Sequence, residues 1–72
     1  MDDIQEKLRI LLDYWIEHNR EHEKEFLEWA GKVGPLSIDL AQQLQEAATK
    51  MAAASAELMK AKQALPENKE RH

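Results

Sequence analysis

The chain contains no cysteine, so it has neither a disulfide nor a thiolate metal site. Without cysteine a reducing cytosol is the expected compartment. Glycine and proline occur twice each in 72 residues, which leaves few places where a regular element must break. No apolar run approaches the roughly 20 residues of a membrane span, and the opening Met1-Asp2-Asp3-Ile4 is acidic where a signal peptide is basic. We therefore expect no membrane association and a cytoplasmic location. A basic surface is also missing. Net charge is −4, and residues 1–33 carry nine acidic against five basic side chains. Phosphate binding needs a basic face that releases counterions, so nucleic acid is not an expected partner.

Enzyme signatures are absent too. There is no glycine-rich phosphate loop, no nucleophile elbow and no His-Glu-x-x-His pattern. The Glu-x-x-His order of carboxylate-bridged di-iron bundles appears only reversed, as His18-x-x-Glu21 and His22-x-x-Glu25, with no companion motif later in the chain. We do not expect catalysis.

Strong helix formers dominate what remains: alanine, leucine, glutamate, lysine and glutamine. Asp2 or Asp3 is a suitable N-cap, and nothing interrupts a helix until the stretch from Gly31 to Pro35. Ser37 is the expected N-cap of a second helix, with Leu36 placed to staple it and Asp39 in its first turn. Gly34 is expected to close the first helix in the left-handed conformation. Leu65-Pro66 ends the second helix, because the residue before proline is pushed out of the α region. The predicted architecture is all-α: an antiparallel helical hairpin over 1–65. Helix 1 spans about 3–33, the turn 34–36 and helix 2 about 37–65. Residues 66–72 are expected to form a disordered polar tail. A hairpin of this size buries little apolar surface alone, so pairing into a homodimeric four-helix bundle is expected.

Two apolar stripes recur at alternating steps of three and four. On helix 1 the stripe runs Leu8, Leu11, Trp15, His18, His22, Glu25, Trp29. On helix 2 it runs Leu40, Leu44, Ala47, Met51, Ala54, Leu58, Ala61, Leu65, with further alanines making the helix thin. Facing these stripes across a turn centred near Pro35 puts Trp15 against Ser55, His18 against Ala52, His22 against Ala48 and Met51, and Trp29 against Ala41. Trp15, Phe26, Trp29, Met51, Ala52 and Ser55 are then the expected packing residues, the aromatic rings closing a small core.

The chemistry on offer centres on His18 and His22. One helical turn apart, two imidazoles can close on one Zn²⁺, Ni²⁺ or Co²⁺, with Glu21 or Glu25 as an oxygen ligand. Helix 2 supplies no further ligand at that level, so a full shell needs the same pair from a second chain. The competing reading is structural: histidines four apart arise readily in a charge-rich helix, and a neutral, hydrogen-bonded pair can set register or respond to pH. Glu17, Glu23 and Glu28 read as a solvated face, with Glu17–Arg20 and Glu21–Lys24 as expected ion pairs.

The run Leu12-Asp13-Tyr14-Trp15-Ile16-Glu17-His18-Asn19-Arg20-Glu21-His22, then Phe26 and Trp29-Ala30, resembles a family of small uncharacterised prokaryotic helical-hairpin domains. In these a Trp-Ile-x-His-Asn-x-x-His-x-x-x-Phe helix precedes an alanine- and leucine-rich one. The resemblance spans most of residues 8–65 and implies a stand-alone or appended hairpin, with His18, Asn19 and His22 as parts of a motif. It implies no activity or ligand. The residues themselves point to a self-associating binding module, with divalent metal at the histidines, or to a structural or partner-docking bundle.

Overall fold

A computed structural model describes residues 3–66. Two helices make up the fold: α1, Asp3–Val33, and α2, Ile38–Ala64. Asp3 and Glu6 lie in the first turn of α1 and Lys32 in its last, each on the side of the helix dipole that suits its charge. The tail expected over 66–72 lies outside the described residues beyond Pro66, and so does Asp2.

The turn departs from expectation at glycine. No glycine among the described residues has positive φ. The Gly34 amide donates to the Ala30 carbonyl at 3.1 Å, continuing the helical ladder, and Leu36 and Ser37 both donate to Val33 at 2.8 and 2.9 Å. Pro35 forces the break, because it has no amide to donate. Leu36, expected to staple the second helix, instead stands 81% exposed. Ser37 caps α2 from an extended conformation, its hydroxyl accepting from the Leu40 amide at 3.1 Å. At the other end Leu65, held extended by the following proline, donates to the Lys62 carbonyl at 3.2 Å.

The helices meet along a seam one residue round from the stripe expected on α1. On that helix Leu12, Ile16 and Ala30 are buried, with Gln5, Leu8, Arg9, Asn19, His22, Glu23, Phe26 and Val33 half-buried. On α2 Ala48 and Ser55 are buried and Ser37, Ala41, Leu44, Ala47, Met51, Leu58, Lys62 and Leu65 half-buried, so the expected Leu44, Ala47, Met51, Leu58 and Leu65 stay covered while Ala54 and Ala61 lie open. Large and small side chains alternate along the α2 seam, and Ala48 is only 3% exposed. Helix axes 8–10 Å apart accept leucine or isoleucine against alanine; two indoles would hold them further apart. The thinner stripe therefore goes inside and the aromatic one stays out.

Only Leu12, Ile16, Ala30, Ala48 and Ser55 are buried among the described residues, and no large side chain is completely so. Burying a leucine or isoleucine side chain stabilises by about 1.5–3 kcal/mol, so two of them make a thin core. The molecule is a rod whose Cα atoms span 58 × 14 × 13 Å.

Candidate functional site

The rotation of the seam decides what the expected site residues do. Trp15 and Trp29 are 39% and 54% exposed, and neither packs in the α1–α2 core. Ala52 is exposed as well, Phe26 and Met51 are half-buried, and Ser55 is buried. Opposite positions also lie further along α2 than a turn centred at Pro35 gives, since Asp13 meets Lys62 and Arg20 meets Met59.

Those cross-helix pairs mark one side of the hairpin. There, Asp13, Glu17, Arg20, Lys62 and Gln63 line an open groove together with apolar Ile16 and Met59. About a quarter turn from the seam in the other direction, α1 presents Ile4, Leu11, Trp15, His18, His22 and Trp29. An antiparallel α2 turns Leu40, Ala47, Ala54 and Ala61 toward that same side. Of the stripes read from periodicity, Leu11, Trp15, His18 and Trp29 of α1 and Leu40, Ala54 and Ala61 of α2 thus lie open to solvent on that side, with His22 and Ala47 half-covered, while Leu44, Met51, Leu58 and Leu65 stay in the seam.

The histidines lie in the middle of this face, within a row of four rings one helical turn apart. Tyr14 stacks on His18 with centroids 5.5 Å apart and an interplanar angle of 16°. His18 meets His22 edge-on at 4.5 Å and 87°, and His22 stacks on Phe26 at 5.9 Å and 27°. Because four residues overshoot a full turn, the row crosses the face obliquely, from the outer edge at Tyr14 to the seam at Phe26. Within it the Nε2 atoms of His18 and His22 approach to 3.1 Å. Two chemistries suit that approach: a hydrogen bond with one Nε2 protonated, or two lone pairs converging on one cation.

Of the two glutamates expected as oxygen ligands, Glu25 lies with its Oε1 3.6 Å from His22 Nδ1, on the opposite side of the ring from the Nε2 that approaches His18. Glu21 instead lies with Lys24, Glu25 and Glu28 around a shallow depression. Among the described residues no ion pair joins Glu17 to Arg20 or Glu21 to Lys24; Arg20 instead reaches the Met59 sulfur at 3.7 Å. Nor do three or more metal-capable side chains gather at one point among those residues. Sequence reasoning missed Tyr14 as the stacking partner of His18, although its place four residues before that histidine is the available signal. It also missed Asn19 and Glu23 in the seam, although both fall on the three-four series through Leu12 and Ile16.

An all-α hairpin with an open aromatic face is thus the class of protein, and no described helix is long and apolar enough to cross a membrane. The chain belongs to the family described as Domain of unknown function (DUF8180), whose model matches residues 8–65. It is also similar to an uncharacterised protein of Archaeoglobus fulgidus, 44% identical over 45 residues that cover 62% of this chain and 73% of that protein. No solved structure matches it.

Proposed function

We propose that this protein is a small self-associating helical module that pairs through its open face into a four-helix bundle and binds a divalent metal through His18 and His22. The observation that carries the reading is the exposure of the aromatic stripe: Ile4, Leu11, Trp15 and Trp29 all lie open to solvent on one side of a two-helix rod. Contiguous apolar surface of that kind marks an interaction site. A second copy fits it because the alanines of α2 leave room for the indoles of a partner's α1. The metal component is supported by the 3.1 Å approach of the two Nε2 atoms and by Glu25 behind His22. No catalytic step belongs to this reading.

The same Nε2 distance suits a hydrogen-bonded structural pair, and the same face suits a different protein, so a metal-free structural or docking bundle is the alternative. Sedimentation equilibrium at micromolar concentration should return twice the 8.4 kDa chain mass. A cooperatively melting helical monomer would refute self-association. Thermal melting with Zn²⁺, Ni²⁺ or Co²⁺ should shift upward by mass action relative to chelator, and identical melting curves would remove the metal.

A further inference from the structure

We infer that α1 packs antiparallel against α1 of a second copy, and that one borderline divalent cation sits on the two-fold axis between them, held by His18 and His22 of both chains. This rests on the function proposed above and adds the arrangement and stoichiometry of the site.

Position along the rod is the first argument. α1 runs from Asp3 to Val33, so the histidine pair lies at its middle. A group meets its own copy where a perpendicular two-fold axis crosses the helix, and an axis near mid-length lets the two helices overlap along nearly their whole length. An axis along the rod would instead set α1 opposite the partner's α2. The open stripe of α2, Leu40, Ala47, Ala54 and Ala61, offers no ligand.

Ligand number is the second. Each chain presents two imidazole nitrogens 3.1 Å apart and, among the described residues, no third group to join them. Two nitrogens on a tetrahedral zinc, with bonds of 2.0–2.1 Å, lie about 3.3 Å from each other. Two such pairs facing across an axis complete a four-imidazole shell, which suits Zn²⁺, Co²⁺ or Ni²⁺. Charge agrees. Glu17, Glu21 and Glu25 lie within a turn of the pair, and doubling them gathers carboxylates that a cation offsets.

Register is the third. An axis passing beside Arg20 sets His18 opposite the partner's His22 and Leu11 opposite the partner's Trp29, and brings Ile4 to the end where the partner's turn lies. Ile4 and Leu36, the latter in that turn, are 75% and 81% exposed in the single chain, so this arrangement gathers the two most open apolar side chains at one end of the assembly.

The test uses the full chain with Co²⁺ as probe. One Co²⁺ should bind per two chains, with the strong visible absorption of a tetrahedral site. The dimer dissociation constant should fall at least tenfold on adding metal. His18→Gln and His22→Gln, which keep similar volume, should each abolish both effects while the metal-free dimer persists. The chain has no native cysteine, so Ile4→Cys and Leu36→Cys can be mixed and treated with a short bis-maleimide. The two variants should cross-link to each other and not each to itself. One Co²⁺ per chain with an unmoved dimer constant would overturn the shared site while sparing the function proposed above. Self-linking of Ile4→Cys would overturn the antiparallel arrangement. Absence of Co²⁺ uptake would remove this inference and the metal component together, leaving self-association standing.

Discussion

The two broad sides of the hairpin are built from different chemistry although the same two helices supply both. One side is tied across the helices by polar side chains: Lys62 pairs with Asp13, and Arg20 reaches Met59. The other has rings stacked along α1 alone, Tyr14, His18, His22 and Phe26, with Trp15 and Trp29 beside them and thin alanines opposite. Partly exposed ion pairs contribute little to stability but cost nothing in water. Exposed indoles and leucines gain only when something covers them. The polar side is thus bridged within a single chain, and the aromatic side is the one that the proposed dimer would cover.

The sharpest way to test that contrast is to compare the seam with the aromatic side. Ile16→Ala removes a buried side chain from a core holding few others, so it should cost about 2–4 kcal/mol and abolish cooperative melting at any protein concentration. Trp29→Ala should act differently: it should weaken self-association, leaving a melting temperature that recovers as concentration is raised. Equal and concentration-independent losses would mean that Trp29 belongs to the core after all.

A smaller effect separates two alanines one turn apart on α2. Ala48→Leu overfills the seam and should cost roughly 1–3 kcal/mol in thermal or urea unfolding, whereas Ala52→Leu points toward the polar side and should change stability little. A reversed order would place the seam elsewhere.

The smallest expected effect is a gain. Ser55 lies buried in the seam with no hydrogen-bond partner for its hydroxyl. An unsatisfied buried polar group costs about 1–3 kcal/mol, so Ser55→Ala should raise the melting temperature. A lower melting temperature would show that the hydroxyl has a partner in the associated state.

Much of the architecture is legible in residue order, because it rests on local chemistry. The Pro35 break, the Ser37 cap and the proline after Leu65 each act within a few residues. The seam is not local. Leu8, Leu11 and Trp15 form one three-four series on α1, and Leu12, Ile16 and Phe26 form another beside it. Hydrophobicity ranks the aromatic series first, but the spacing between helices favours the series ending in small Ala30. That choice needs the partner helix, and a single periodic count does not contain it. The site follows the same rule. The approach of His18 to His22 follows from helical spacing alone, and so does Glu25 reaching His22. Their exposure follows from the seam, which spacing within one helix does not determine. Gly34 shows a different limit, since a proline directly after it ends the helix without a left-handed residue.

The elongated shape has a consequence for how association is seen in solution. A rod whose Cα atoms span 58 Å by 14 Å drags somewhat more than a sphere of its mass. Laying a second rod flat on the first doubles the mass and thickens the particle without lengthening it, so the assembly becomes rounder as it grows. Its Stokes radius then rises much less than its mass, and the two species elute close together on a sizing column. Rotational diffusion would separate them more clearly: in the proposed dimer the indoles of Trp15 and Trp29 are held between the chains and should depolarise more slowly than on an open face.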